Sequence, residues 1–185
     1  MNNSLQEYLN FANKLADAAG ITSMEYFRTS LSIDNKSDES PVTIADKNTE
    51  LKIRSMIEKE YPAHGILGEE FDSVNPDAEF IWVIDPIDGT RSYIAGHKDF
   101  GNLISLTQNK KPIIGIINCP AHDERWVGAK NQSSTVNQQN INTSSVTAIE
   151  DAYIFTSGLY FDEPHLRNAV DKIKTHWDTV YVPKN

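Results

Sequence analysis

Apolar residues recur at helical spacing in the N-terminal third of the chain. Between Leu5 and Phe27 they return at about every third or fourth position, which predicts a helix with one buried face and with Gly20 as an expected interruption. A second helix is predicted from Val42 to about Glu60, where Tyr61-Pro62 ends it because proline cannot continue a helix. The first helix is expected to supply packing surface rather than chemistry.

Shorter runs rich in β-branched and aromatic residues predict strands farther along the chain. A turn at Asn109–Pro112 separates two of these runs, an arrangement that is typical of a β-hairpin. The runs follow one another closely, which favours an antiparallel meander. The predicted strands are Gly65–Leu67, Phe80–Ile84, Phe100–Leu106, Ile113–Asn118 and Arg125–Ala129.

A polar stretch, Asn131–Ser145, is rich in Asn, Gln, Ser and Thr, and its composition is compatible with a loop, a linker or weak strands. We therefore place a boundary there, between an N-terminal α+β subdomain of residues 1–145 and the start of a C-terminal α/β subdomain at 146–185. In the second part the pattern predicts a strand at Tyr153–Thr156, a helix at Glu163–His176 and a strand at Thr179–Val182.

The strand Phe80–Ile84 leads directly into a polar corner, Asp85–Thr90. The proline of this corner is predicted to end the strand because it has no N–H for a sheet ladder. Gly89 permits backbone angles that other residues resist, and Thr90 or Ser92 is expected to cap a short helix. The chain thus carries two aspartates into a tight strand-to-helix turn.

Two interpretations of this corner are open. Carboxylates and backbone carbonyls are the ligands that Mg²⁺ prefers, and free N–H groups at a helix start favour an anion such as phosphate. Together they favour metal-assisted phosphoryl hydrolysis. Alternatively, Asp-Pro and Asp-Gly are ordinary turn sequences. Two acids at the end of a buried strand repel each other unless a cation lies near, and this favours the metal site.

The string Asp85–Thr90, followed by Tyr93 and Gly96, resembles the signature of the inositol monophosphatase superfamily, a group of magnesium-dependent phosphomonoesterases. The resemblance extends from about Leu5 to Thr156. It implies an α+β, layered αβαβα fold of the sugar-phosphatase type, with an antiparallel sheet in the N-terminal part and an incomplete second sheet. It is also compatible with a homodimer.

The same resemblance implies a set of site residues around Mg²⁺ and a water molecule that attacks the phosphate without a covalent enzyme intermediate. Some would bind metal, some would orient and deprotonate the water, and some would receive the substrate phosphate. The implied metal ligands are Glu69, Asp85, the carbonyl of Ile87 and Asp88; the catalytic pair is Asp46 and Thr90; the phosphate group would lie at Asp88, Gly89 and Thr90; and Glu70 would support the metal ligands from behind.

Some of these residues also have simpler interpretations. Thr43 and Asp46 have the spacing of a capping box, so Asp46 would stabilise the start of the second helix in any case. The capping and catalytic roles are compatible because a helix start holds a carboxylate rigidly. Taken alone, Glu69 and Glu70 would be a solvated acidic turn.

The overall composition narrows the choice of partners and compartment. The net charge of -9 argues against nucleic acid or an anionic membrane, but not against a small phosphorylated metabolite held through cations. One cysteine, Cys119, excludes an internal disulfide and fits a reducing compartment. The N-terminus lacks a signal pattern, and no apolar run approaches the roughly 20 residues of a membrane span. We therefore expect a cytoplasmic protein.

The substrate is indicated by residues that flank the signature. Ser40–Thr43, Ser92–Gly96 and Phe100-Gly101 look most like the histidinol-phosphate phosphatase branch of the superfamily. Histidinol phosphate, an intermediate of histidine biosynthesis, is therefore the favoured substrate. Inositol monophosphate comes second and a 3'-phosphoadenosine nucleotide third.

The chain departs from the superfamily in its length, since members continue well past residue 185 and carry a further metal-binding aspartate there. Trp177-Asp178 resembles that later motif superficially, but it comes too early, and Thr179 and the residues after it replace the small residues of the motif. We expect this 185-residue chain, made alone, to be poorly soluble or nearly inactive. A non-catalytic remnant of such an enzyme is the alternative.

Overall fold

The computed structural model describes residues 4–30, 33–35, 41–148 and 151. The chain divides into two compact units, Met1–Asn142 and Thr143–Asn185, and nearly all described residues belong to the first. The elements predicted at 153–156, 163–176 and 179–182, like Trp177-Asp178, lie outside the described residues. The domain boundary at residue 145 stays a prediction.

The first helix, α1, spans Leu5–Tyr26 and starts with a capping box between Ser4 and Glu7. It continues without a break through Gly20, contrary to the expected interruption. A Cβ at Gly20 would lie 2.9 Å from Nδ2 of Asn118, which belongs to the sheet. The glycine therefore allows the helix to approach the sheet closely.

The second helix, α2, spans Ile44–Glu60, close to its predicted range. Thr43 and Asp46 form the predicted capping box: the Thr43 hydroxyl accepts from the helix backbone, and the Asp46 carboxylate accepts from the backbone N–H of Thr43. A short helix, α3, spans Thr90–Ile94. No helix in the described part of the chain is long and apolar enough to cross a bilayer.

The strands among the described residues are β1 Ile33–Asn35, β2 Pro41–Thr43, β3 Gly65–Leu67, β4 Phe80–Asp88, β5 Gly101–Gln108, β6 Lys111–Cys119, β7 Glu124–Ala129, β8 Thr135–Val136 and β9 Gln139–Asn140. The main sheet has the order β3-β4-β5-β6-β7-β8-β9. All neighbouring pairs from β4 to β9 are antiparallel, which confirms the meander. The sheet differs from the prediction at one edge, where β3 is parallel to β4 because the long connection 68–79 returns the chain to the same end of the sheet. Strands β1 and β2 form a separate antiparallel pair.

The hydrophobic core lies between the two long helices and one face of the sheet. Side chains of a strand alternate between faces, so Trp82 and Ile84 of β4 are buried in this core while Val83 and Asp85 are on the other face. That other face opens into a groove of about 630 Å³, which Asp85 and Asp88 also line. Strand β4 thus carries core residues on one face and the polar corner beside an open groove on the other.

Strand β4 does not end at Ile84 as predicted but continues through Pro86 to Asp88. Its pairing with β5 shifts register between Asp85 and Asp88, which is a β-bulge. The proline lies inside the bulge, where the ladder does not require its missing N–H. Its carbonyl oxygen accepts a 2.7 Å hydrogen bond from Nδ2 of Asn102. The bulge displays both aspartates at the end of one continuous strand.

Candidate active site

Gly89 makes the turn from β4 into α3. It is the N-cap of α3 with φ of 84°, in the left-handed region, and no side chain caps the helix. The expectation that Thr90 or Ser92 would cap this helix is therefore wrong, because Thr90 is already its first residue. A Cβ at Gly89 would lie 2.9 Å from the backbone oxygen of Asp99. Both the backbone angle and the space favour glycine here.

The hydroxyl of Thr90 is thus free of capping and lies between two oxygen acceptors. Its Oγ1 is 3.0 Å from the carbonyl oxygen of Ile87 and 3.4 Å from Oδ1 of Asp46. A hydroxyl has one proton, so it donates to one of these oxygens at a time. Two elements far apart in sequence, α2 and the corner after β4, therefore meet at this hydroxyl.

Asp46 belongs to the capping box of α2 and also lies beside Thr90. Only 1% of the residue is exposed, and its Oδ2 accepts from the N–H and the hydroxyl of Thr43, at 2.8 and 2.6 Å. Burial raises the pKa of this carboxyl, although the hydrogen bonds from Thr43 act in the opposite direction. With Oδ2 engaged by the helix cap, Oδ1 faces Thr90. The cap holds the carboxylate in place and leaves one oxygen for the site.

Asp85 has a buried carboxylate oxygen whose hydrogen-bonding capacity is not satisfied within the described part of the chain. Its Oδ1 is buried without a hydrogen-bond partner among the described residues. The pKa of Asp85 is raised to about 7, first by burial and then by the charge of Glu69, a hydrogen bond with Glu69 and the charge of Asp88. A cation at this position would satisfy the oxygen and offset the repulsion between the carboxylates. The donor set, carboxylates and a backbone carbonyl, fits Mg²⁺.

Among the described residues, no three His, Cys, Asp or Glu side chains lie close enough together to form a complete metal site. Two carboxylates each interact with Asp85 instead. Glu69 belongs to the loop after β3, and Asp88 lies at the other end of the bulge. The fit to a cation therefore rests on the unsatisfied oxygen of Asp85 and on its raised pKa. Asp88 and Gly89 are exposed, so this side of the corner is open to a ligand.

The loop that carries Glu69 and Glu70 is held by a residue that the sequence reasoning missed. The backbone N–H groups of Glu69 and Glu70 donate to Oε2 of Glu50, at 3.0 and 2.8 Å. Glu50 in turn pairs with Arg54. A usable signal was present in the sequence: Asp46, Glu50 and Arg54 recur every four residues, which places them on one face of α2.

The environments of His64 and Cys119 favour packing roles over chemical ones. His64 accepts a hydrogen bond from Nε1 of Trp82 at 3.1 Å and stacks on Tyr61 and Phe80, and burial lowers its pKa. Burial raises the pKa of the Cys119 thiol, which disfavours the thiolate. We assign neither of them a chemical role.

The α+β fold and this corner are those of a known class. The chain belongs to the inositol monophosphatase family, whose sequence model matches residues 4–179. The protein is 38% identical over 181 residues to the Arabidopsis thaliana protein named bifunctional phosphatase IMPL2, chloroplastic, covering 97% of this chain and 51% of that protein. It is 35% identical over 168 residues to the histidinol-phosphatase of Chlorobaculum parvum, covering 90% of this chain and 65% of that protein.

A solved structure agrees with these sequence relatives. An inositol monophosphatase from Zymomonas mobilis superposes with a TM-score of 0.81 at 40% identity, over 95% of this chain and 68% of the other. The chain spans about half to two thirds of the length of the two curated relatives described above, 51% and 65%.

Proposed function

We propose that this protein is a metal-dependent phosphatase that hydrolyses a small phosphate monoester, in the cytoplasm, with histidinol phosphate as the favoured substrate. One observation carries the proposal: the Thr90 hydroxyl lies 3.4 Å from a buried carboxylate oxygen of Asp46, in the same corner as the unsatisfied oxygen of Asp85. A polarised hydroxyl–carboxylate pair beside a cation position is suited to handling a water molecule and its proton.

Glu69, Asp85, the carbonyl of Ile87 and Asp88 are the residues that would hold Mg²⁺. When bound, the metal would supply positive charge to the phosphate and lower the pKa of a water molecule. The carbonyl of Ile87 competes with Asp46 for the proton of Thr90. If the carbonyl of Ile87 is bound to the metal, the hydroxyl would donate to Asp46 and would keep both of its lone pairs available as acceptors.

Asp46 and Thr90 would then act on the water. Thr90 would accept a hydrogen bond from it and orient one lone pair of the water toward phosphorus, while the Thr90 hydroxyl keeps its own proton and donates it in a hydrogen bond to Oδ1 of Asp46. Burial raises the pKa of Asp46 and makes the carboxylate a better base than an exposed aspartate. The proton lost by the water would move through the Thr90 hydroxyl to Asp46. No bond between enzyme and phosphate is required.

The phosphate would lie at Asp88, Gly89 and Thr90. Residues that begin a helix have N–H groups without intrahelical acceptors, and here they follow a glycine with no side chain to block approach. Glu70 would support the metal ligands without binding the metal itself. Its backbone N–H donates to the same oxygen of Glu50 as the N–H of Glu69 does.

The names of the relatives support the substrate. Histidinol-phosphatases of Chlorobaculum parvum, Mycobacterium tuberculosis and Streptomyces coelicolor are 35%, 32% and 33% identical to this chain. Inositol monophosphate is the second candidate, because the Zymomonas mobilis structure at 40% identity is an inositol monophosphatase. The histidinol assignment would place the enzyme in histidine biosynthesis.

The test is phosphate release from histidinol phosphate, inositol 1-phosphate and 3'-phosphoadenosine 5'-phosphate, with and without Mg²⁺, by this chain and by the full product of its gene. We expect Mg²⁺-dependent release by the full gene product, highest with histidinol phosphate, and little release by this 185-residue chain alone. Asp88→Asn should abolish release and leave the circular dichroism spectrum unchanged, whereas Asp77→Asn, the same change at an exposed aspartate of the loop before β4, should retain it. Full activity of Asp88→Asn, or no release from any monoester by the full gene product, would refute the proposal.

A further inference from the structure

The loop after β3 is attached to helix α2 by side chains rather than by a strand ladder. Glu50 accepts the N–H groups of Glu69 and Glu70 with one carboxylate oxygen, Oε2. Arg54 donates from Nη2 to the carbonyl oxygen of Phe71 at 2.9 Å. Three successive residues of the loop are therefore anchored by two residues of one helix turn.

The two anchoring side chains are buried and bind each other. Glu50 is 0% exposed and Arg54 is 6% exposed, and Nε of Arg54 lies 2.7 Å from Oε1 of Glu50. A buried carboxylate is strongly unfavourable unless its charge is balanced and its lone pairs are used. Here Arg54 balances the charge, and three N–H groups use the oxygens. Replacing a buried ion pair by apolar residues is often neutral or stabilising, so the pair is not expected to be a main source of stability, although removing one partner alone is costly.

Gly68 shows how close the loop lies to this pair. A Cβ at Gly68 would overlap the Glu50 carboxylate and would lie 2.8 Å from Nη2 of Arg54. The loop backbone rests directly on the carboxylate, and no side chain fits between them. The position of Glu50 is thereby transmitted to the backbone of Glu69 without an intervening flexible group.

We infer that Glu50, supported by Arg54, is a positioning residue that sets the side chain of Glu69 against Asp85. Glu69 is the charge that acts most strongly on Asp85, and its backbone N–H is bonded to Glu50. Asp46 lies one helix turn before Glu50 on α2, so this helix would fix both the Thr90 partner and the Glu69 loop. The part of the inference that concerns cation binding rests on the proposed metal-dependent function.

The first test measures the loop itself, through amide hydrogen exchange in wild-type protein and in Glu50→Gln. Glutamine has one acceptor oxygen and turns an NH₂ group toward Arg54, so it cannot serve the loop and Arg54 together. We expect the amides of Glu69 and Glu70 to exchange about tenfold faster or more, since hydrogen bonds to a charged acceptor are lost. Glu58→Gln, the same change on the exposed side of α2, should leave them unchanged. Unchanged exchange in folded Glu50→Gln would overturn the inference.

The second test titrates Mn²⁺, followed by electron paramagnetic resonance, into the same proteins. Loss of a group that orients a metal ligand typically weakens metal binding about 10- to 100-fold, and we expect this for Glu50→Gln but not for Glu58→Gln. Raising the metal concentration should restore part of kcat. If wild-type protein does not bind Mn²⁺, the proposed function fails; if wild type binds and Glu50→Gln binds equally well, only the present inference fails.

A second variant approaches the same contact from the loop side. Gly68→Ala should displace the loop from Glu50, with faster exchange and weaker Mn²⁺ binding, even if Glu50→Gln does not fold. Gly115→Ala is the matched control, because no atom lies within 4 Å of a Cβ at that position. Equal behaviour of the two alanine variants in both measurements would contradict the positioning role.

Discussion

Asn102→Ala should strongly destabilise the protein by removing the group that holds the β4 bulge. Asn102 is 0% exposed, donates to the carbonyl oxygen of Pro86 at 2.7 Å, and accepts from Nδ2 of Asn118 at 2.9 Å. Asn118 retains a second bond, to the carbonyl oxygen of Ala16, and is not left without an acceptor. The buried carbonyl of Pro86 loses its side-chain donor, and Ser23 Oγ loses a longer hydrogen bond of 3.3 Å but keeps its bond to the carbonyl oxygen of Gly20.

The expected magnitude follows from these contacts. A buried carbonyl that loses its partner costs about 1–3 kcal/mol, and the lost Asn102–Asn118 bond about 0.5–1.5 kcal/mol. Together the free energy of unfolding should fall by about 2–4 kcal/mol, a large part of the roughly 5–15 kcal/mol that stabilises a typical domain. Because Pro86 lies between Asp85 and Asp88, the same change should also weaken Mn²⁺ binding.

Urea unfolding followed by circular dichroism measures the loss. With a slope of about 2 kcal/mol/M, in the middle of the usual range for urea, the midpoint should shift down by about 1–2 M. Asn140→Ala, at an exposed asparagine of β9, is the matched control and should change the midpoint little. A loss below about 1 kcal/mol, or one equal to that of Asn140→Ala, would refute the role assigned to the hydrogen bond with Pro86.

Three further changes test the site and its surroundings. Thr90→Val should lower phosphate release about 10²- to 10⁴-fold with little change in melting temperature, while Thr90→Ser keeps the hydroxyl and should retain most activity; similar loss in both would argue against a role for the hydroxyl. Gly89→Ala should reduce stability by at least about 1–2 kcal/mol, because its φ of 84° is strained for alanine; Gly115→Ala should not show this loss, and equal melting temperatures would contradict the reasoning. Burial lowers the pKa of His64 below its usual 6.5, so below pH 6.5 the unfolded chain binds more protons there than the folded one, and the free energy of unfolding should fall as the pH falls. His64→Gln should flatten this part of the profile, by at most about 1.4 kcal/mol per pH unit; parallel profiles for variant and wild type would show that His64 is not responsible.

The helices and the meander were predictable because their signals are local. Apolar spacing places α1 and α2 within about one or two residues of their observed ranges, and the Thr43–Asp46 capping box is a property of four consecutive residues. The hairpin of β5 and β6 likewise follows from two β-rich runs around a turn. In each case the decisive contacts join residues near one another in the chain.

The errors arose where distant segments determine the local conformation. Pro86 ends a strand by its own chemistry, but Asn102 of the neighbouring strand satisfies its carbonyl within a bulge and the strand continues. Thr90 is a good cap by residue type, yet Gly89 takes that position and Asp46 of α2 provides another acceptor for the hydroxyl. Sequence patterns do not report such contacts.

Residue types and their spacing were sufficient for the α+β class, the family and the oxygen-rich corner of Asp85–Thr90, because periodicity, proline, glycine and carboxylates have the same chemistry wherever they are placed. The family resemblance already grouped Thr90 with Asp46 and Asp85 with Glu69; the assembled fold added the geometry of these pairs and the contact between the loop of Glu69 and Glu50, which the sequence did not indicate. These pairings depend on desolvation and on distances such as 3.0 and 3.4 Å between residues 19 and 44 positions apart in the chain. Such distances arise only when helix α2 packs against the sheet and brings its buried carboxylates to the end of β4.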